Sequence, residues 1–265
     1  HVGVRDKAES MVSREPLARR PGLLITRPQA LGAELAARVV QEGGRAWLFP
    51  TLEIRPLPFN AEQAKALLAP ADWIVFISAN AVSFGWPWVI RGAPVRAQLA
   101  AVGRATAERL EQQSRLPVLH PTHGADSEAL LALPEFSAPA GKTVVIVRGR
   151  GGREWLKSTL ESRGAHVNYL ECYERCLPHP DLGDLDDALA QGAVISVQSA
   201  EALKNLWTLA GETRHDVLQR RDFLVSHPKI AAAAQSLGIR HIHVTEPGEA
   251  ALVAYWKTLT TLLPS

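Results

Sequence analysis

At 265 residues, with 46% hydrophobic and 21% charged side chains, the chain carries enough apolar material for one large or two ordinary domains, each with its own core. Its 29 Lys and Arg against 27 Asp and Glu leave a formal charge of +2, which excludes bulk attraction to nucleic acid or a membrane surface and requires any anion site to be local. Two cysteines are too few for a disulfide framework, and no apolar run is long enough to span a bilayer.

Residues 1–21 are polar and basic, with no apolar stretch of the kind an export signal needs. They are read as an N-terminal extension, poorly ordered and outside the fold, on a cytoplasmic protein. Short apolar and β-branched runs then follow at 23–26, 46–49, 73–77, 99–102 and 118–120. They alternate with helical stretches, such as the one bearing Leu31, Leu35 and Val39 and ending at Gly43-Gly44. That alternation predicts an α/β protein with parallel sheets flanked by helices. Proline-rich segments at 54–60, 136–141 and 177–183 read as linkers, where helices and central strands do not run. Residues 168–176 read as extended and carry Cys172 and Cys176. Four residues of strand span roughly 13 Å, beyond the roughly 4.4–6.8 Å Cα separation of a disulfide, so reduced thiols are expected.

The chain also resembles itself. Residues 25–44 align with 146–165, placing Ile25 on Ile146, Arg27 on Arg148, Leu35 on Leu156 and Gly43 on Gly164. At the same offset 74–86 meets 195–207, with Ser78 on Ser199, Ala79 on Ala200 and Trp86 on Trp207. After a short insertion, 99–107 meets 223–231 and Gly124 meets Gly248. Matches in constant order indicate a duplicated unit.

In an open parallel sheet ligands collect where the strands end, because the following helices present unpaired N–H groups and the positive end of their dipole there. Such turns bind carboxylate or phosphate without a large net charge. The sequence supplies them at Arg27-Pro28, Ser78-Ala79-Asn80, Gly103 to Thr106, Arg148-Gly149-Arg150-Gly151-Gly152-Arg153, Ser199-Ala200 and Ser226 to Lys229. Turns of this kind on two facing repeats would suit a ligand with carboxylates on several sides. Plainer roles compete: Ser78 and Ser199 are good helix N-caps in their own right, and the glycines at 149, 151 and 152 would also serve a tight turn. A dinucleotide site is disfavoured, since apart from Glu171 and Glu174 in the extended run no acidic residue closes a clean second strand after that turn. The recurrence of Arg27 and Arg148 at one place in both repeats favours a functional role. Tyr173 fits a core aromatic or, if it faces the site, a proton donor, since a tyrosine with pKa of about 10 stays protonated at neutral pH. His241 and His243 share a strand face at an exposed end, and no metal site is expected. GxSxG, HExxH and CxxC motifs are absent, which removes the commonest hydrolase, zinc and redox chemistries.

Over about 240 residues these motifs resemble the uroporphyrinogen-III synthase family. The resemblance rests on Thr26-Arg27-Pro28, Phe49-Pro50, the Ser78-Ala79-Asn80-Ala81 turn, Gly103 to Thr106, and above all residues 146–176. It implies two similar α/β domains with a cleft between them, joined by two crossover strands. Mapped here, residues 22–48 join 178–265 in a discontinuous first domain, 57–169 form the second, and 49–56 and 170–177 are the linker strands. It further implies a cofactor-free, metal-free, monomeric lyase that closes hydroxymethylbilane, a linear tetrapyrrole polycarboxylate, with loss of water and inversion of the terminal pyrrole. A transient contact with the upstream enzyme is compatible with that role; nucleic acid and membrane partners are not expected. The implied substrate-binding set is Arg27, Ser78, Ala79, Asn80, Gly103, Thr106, Arg148, Gly149, Gly151, Gly152, Arg153, Ser199, Ala200 and Lys229, with Tyr173 assisting loss of the hydroxyl. One departure stands out: Ile230 replaces the hydroxyl of the second Gly-x-x-Thr-like turn, leaving Lys229 or a main-chain amide to take over. A non-catalytic two-lobed protein that closes on a small polyanion, or a nucleotide-dependent transferase using the glycine turn, remain as rival readings.

Overall fold

The computed structural model describes residues 18–259 and 261–262. Of the extension read over 1–21, residues 1–17 lie outside the described residues. The remainder belongs to the fold, contrary to that reading. Ala18–Arg19 (β1) pairs antiparallel with Thr261–Leu262 (β13), Arg20 donates to the carbonyls of Glu42 and Lys257, and the Pro21 carbonyl accepts from buried Trp256 Nε1 at 2.9 Å.

The chain divides into two compact units. One holds the described residues up to Glu53 together with those from Cys176 onward, and the other holds Ile54–Arg175. The sheet of the first runs His241–Val244 (β12), Asp222–Val225 (β11), Val194–Val197 (β10), Leu23–Ile25 (β2) and Ala46–Leu48 (β3), with every neighbour parallel. Both faces are covered, so β2 is apolar throughout and sorts its residues by the twofold alternation of a strand. Leu23 and Ile25 pack with Leu35, Val39 and Trp256 from the helices Gln29–Gln41 (α1) and Glu249–Thr258 (α12). Leu24 packs on the other side with Leu185, Leu203 and Leu206. Each fully buried leucine or valine contributes about 1.5–3 kcal/mol. Leu31, expected on the apolar stripe of α1, is 54% exposed, and Gly32 takes the buried position.

The second unit orders its strands Glu53–Pro56 (β4), His166–Cys176 (β9), Thr143–Gly149 (β8), Trp73–Phe76 (β5), Gln98–Ala101 (β6) and Val118–Leu119 (β7). Part of the segment read as a linker at 54–60 is therefore a strand, and its Pro56 is tolerated because β4 lies at the sheet edge. The reading of 136–141 likewise overlaps a short helix, Pro134–Ser137. Ile74, Phe76, Val145 and Val147 face one core, and Val75, Val144 and Ile146 the other. Gly85, in the helix Ala79–Gly92 (α3), lets that helix approach β8 closely: a Cβ there would sit 2.3 Å from Val147 Cγ1.

Each sheet mixes the two repeats. Strands β2 and β3 of the first repeat lie with β10, β11 and β12 of the second, while β8 and β9 of the second lie with β5, β6 and β7 of the first. In both sheets strand order reverses where the repeats meet, between β2 and β10 and between β8 and β5. Those are the switch points, the places where an open α/β sheet leaves a crevice beyond its strand ends.

Candidate active site

At the switch point of the second unit, Ser78 ends the turn after β5 in extended geometry and caps α3, its Oγ accepting from the Ala81 amide at 3.0 Å. Ala79 and Asn80 form the first turn of that helix. The Tyr173 hydroxyl lies 3.0 Å from the same Oγ. Tyr173 reaches it because β9 carries a bulge. Arg148 pairs with Glu171 and Gly149 with Tyr173, so Cys172 is an extra residue in the ladder. A bulge re-aims the side chains that follow it, and Leu170, Cys172 and Tyr173 consequently lie in one core. The ring packs 5.7 Å from that of Phe84 and over Gly149, where a Cβ would fall 2.5 Å from Tyr173 Cε2. Glycine at 149 thus makes room for the tyrosine. Burial pushes the neighbouring Cys172 thiol up to about 12, leaving it protonated and unreactive.

On the opposite face of that sheet, Arg148 is 5% exposed. Its guanidinium lies 3.4 Å from the centroid of the Tyr169 ring, donates to Glu154 at 3.0 Å and comes within 3.6 Å of Glu171. Tyr169 donates to the other Glu154 oxygen at 2.7 Å, and that bond, ahead of Arg148, holds the Glu154 carboxyl below the usual carboxylate range. Glu171 also accepts the Gly151 amide at 3.0 Å, and the Arg150 amide donates to the Tyr173 carbonyl at 2.7 Å. Two readings change as a result. The charge of Arg148 is matched internally and the Gly151 amide is already used, so both brace the glycine turn. Gly151 and Gly152 adopt φ of 77° and 101°, conformations that favour glycine. Arg148, Gly151, Gly152 and Arg153 line a recess of about 240 Å³ with Ile77 and Tyr169. Arg153 is itself exposed, with Glu128 3.9 Å away. Gly103 caps the helix Arg104–Ser114 (α4), where a Cβ would press on Ala125 Cβ at 2.9 Å, and Thr106 is half-buried in its first turn.

In the first unit Ser199 repeats the role of Ser78, capping Ala200–Ala210 (α9) through the Ala202 amide at 3.0 Å. No tyrosine accompanies it: the position matching Tyr173 is Leu52. Arg27, at the end of β2, is 15% exposed and 3.7 Å from Glu249. His227, aligned with Gly103, caps Pro228–Ser236 (α11) by accepting the Lys229 amide on Nδ1 at 3.0 Å, while the Lys229 side chain is exposed. Ile230 joins the core, which is why no hydroxyl stands there. Sequence reasoning missed Glu154, Tyr169 and Glu171 as the frame of the glycine turn. It also missed Gln198, a polar residue at a strand end where the other repeat has Ile77; that mismatch was the available signal. Among the described residues no cluster of three or more metal-ligating side chains occurs, and no helix is long and apolar enough to cross a membrane.

A sequence model of the family described as Uroporphyrinogen-III synthase HemD matches residues 33–254. Proteins named uroporphyrinogen-III synthase from Salmonella typhimurium and Escherichia coli are each 37% identical to the chain, the first over 235 and the second over 236 residues, covering 84% of this chain and 94% of theirs. Among solved structures, a mutant uroporphyrinogen III synthase from the extremely thermophilic bacterium Thermus thermophilus aligns with a TM-score of 0.60 at 19% identity, covering 89% of this chain and 98% of that one. Uroporphyrinogen-III synthetase from Helicobacter pylori aligns at 0.57 and 15% identity, covering 90% and 100%. At such identities the structural likeness speaks for the fold alone.

Proposed function

The chain belongs to the uroporphyrinogen-III synthase family, and from that premise we propose that it closes hydroxymethylbilane into uroporphyrinogen III through its strand-end turns, with Tyr173 assisting. The observation that carries this reading is the 3.0 Å contact between Ser78 Oγ and Tyr173 OH at the switch point of the six-stranded sheet. Ser78 Oγ accepts from the Ala81 amide and can give its own proton to Tyr173. In that arrangement the phenol proton is left for a ligand, and each donor in the chain polarises the next. Tyr173 passes that proton to the terminal hydroxyl as its C–O bond breaks, and water leaves. The substituted pyrrole carbon attacks the resulting methylene cation, a spiro intermediate rearranges, and closure releases a pyrrole proton, so none is consumed overall.

The same precursor closes without inversion in the absence of a catalyst, so the enzyme must favour one pyrrole carbon over its neighbour. A hundredfold preference requires about 2.7 kcal/mol of differential stabilisation, which positioning of a flexible chain supplies. Each unit offers strand-end amides to acidic arms, Ser78 to Asn80, Gly103 to Thr106, Gly152 and Arg153 in the second and Ser199 and Ala200 in the first, with charge from Arg153 in the second and from Arg27 and Lys229 in the first. The enzyme acts as a cytoplasmic monomer without cofactor. Incubation with hydroxymethylbilane followed by separation of the ring isomers tests the reading: type III product in excess is expected, and type I alone refutes it.

A further inference from the structure

In the first unit, the two strands that meet at the switch point are followed by an arginine and a glutamine, and the glutamine has a buried donor without a hydrogen-bond partner among the described residues. The last paired residues of β2 and β10 are Ile25 and Ser196, so two positions beyond them stand Arg27 and Gln198. Gln198 Nε2 is buried without a hydrogen-bond partner among the described residues. Native proteins rarely leave a buried N–H unpaired without a use for it. The Arg27 guanidinium is mostly buried, and the Glu249 carboxylate beside it, at 3.7 Å, is closer to Arg38, at 3.2 Å. Desolvation lowers the Arg27 pKa, and Glu249 offsets this only in part. The second unit is built differently at the matching positions. Arg148 is engaged through Nη2 by Glu154 and Glu171, although its Nε, like Ser196 Oγ in the first unit, is buried without a hydrogen-bond partner among the described residues, and Ile77 stands where the first unit has Gln198.

We infer that Gln198 and Arg27 form a carboxylate-binding subsite, in which the Gln198 amide donates to one oxygen of an acidic arm of the substrate and the Arg27 guanidinium to the other. This rests on the polycarboxylate reading above and extends it to a residue outside the repeated turns. The two residues follow adjacent parallel strands, whose paired backbones run roughly 4.8 Å apart, so both side chains start close enough to converge on a single carboxylate. The duplicated sheets thereby divide the work. One switch point keeps cationic and amide donors open for an anion, and the other locks its arginine and offers the Ser78–Tyr173 pair.

The test is a tryptophan-fluorescence titration of the full chain with uroporphyrin I, an octacarboxylate that does not react. Gln198→Met keeps length and volume but removes the donor, and it should raise Kd about tenfold, the effect of one hydrogen bond to a charged group. Gln198→Glu should weaken binding further, and in an Arg27→Met background Gln198→Met should add much less than tenfold, because both donors serve one carboxylate. The melting temperature of Gln198→Met should not fall, since no internal bond is lost. A Kd within twofold of the parent, or a lowered melting temperature that reveals an internal partner for the amide, would overturn the subsite. The isomer assay on the parent protein reads separately: no excess of type III product alongside a Kd that responds to Gln198 would sink the proposed reaction and leave the subsite standing.

Discussion

Gly149→Ala is the substitution that most sharply separates fold from chemistry. The new Cβ would lie 2.5, 2.7 and 3.0 Å from Tyr173 Cε2, Cζ and Cδ2, against about 3.5–4.0 Å for ordinary carbon contacts. The ring must therefore retreat by about 1 Å, which takes its hydroxyl from 3.0 Å to beyond hydrogen-bond range of Ser78 Oγ. The backbone of Gly149 is not in the left-handed region, so the effect is steric. Overpacking of this kind costs about 1–3 kcal/mol of stability. Losing one positioned donor costs about 1.4 kcal/mol in the transition state, roughly tenfold in turnover. Tyr173→Phe should lose the same factor while keeping the packing. Combining the two should cost little more turnover than either alone, because both remove one hydroxyl from one place. Initial rates of type III formation, with urea unfolding on the same samples, measure both quantities. Full turnover in Gly149→Ala, or losses that multiply in the double variant, would refute the role given to the hydroxyl.

Arg148→Ala removes the buried guanidinium that Glu154 and Glu171 share, leaving a cavity and unmade hydrogen bonds behind the glycine turn, and urea denaturation should register a lower midpoint; an unchanged midpoint would contradict the bracing role. Glu154 predicts a pH dependence. Its folded pKa lies below the unfolded value because Tyr169 and then Arg148 donate to it, so its contribution is present above about pH 4.5 and fades as pH falls through the folded value. Glu42, Asp186 and Asp187 are lowered too, so Glu154→Gln should reduce the acid slope of the melting temperature without abolishing it, and an unchanged slope would count against the network. Lys229→Ala should raise KM for hydroxymethylbilane several-fold with kcat nearly constant, as expected for a charge that binds ground and transition states alike; an unchanged KM removes Lys229 from the site.

The strands and their alternation with helices were legible because fully buried parallel strands are written as continuous apolar runs, as in Leu23-Leu24-Ile25 and Ile74-Val75-Phe76. The duplication was legible too, and it located the matched helix caps, Ser78 with Ser199 and Gly103 with His227. The exchange of strands between repeats was not, since periodicity fixes a strand's burial but not its neighbours; only the family resemblance supplied it. Within the candidate site, residue type pointed to Tyr173, yet its direction depends on a one-residue bulge at Cys172 that leaves no mark in the apolar pattern. Arg27 and Arg148 look equivalent in the alignment, but the structure places two carboxylates on one and leaves the other with a distant, shared partner. That difference arises from Glu154, six residues on in the same turn, and from Glu171, which comes beside Arg148 only once β8 and β9 are paired. Leu31 erred for a plainer reason: Gly32 lets α1 lie close to Leu48 Cδ2, at 3.2 Å from an added Cβ, and turns Leu31 outward.

The central claim is that the turns ending the parallel strands hold the substrate's carboxylates, and amide hydrogen exchange with and without saturating uroporphyrin I tests it most directly. Exchange should slow at Ser78 to Asn80, Gly103 to Thr106, Gly152 and Arg153, and Ser199 and Ala200, with the opposite sheet edges unchanged. Protection confined to other segments, or none at those turns under saturation, would contradict it.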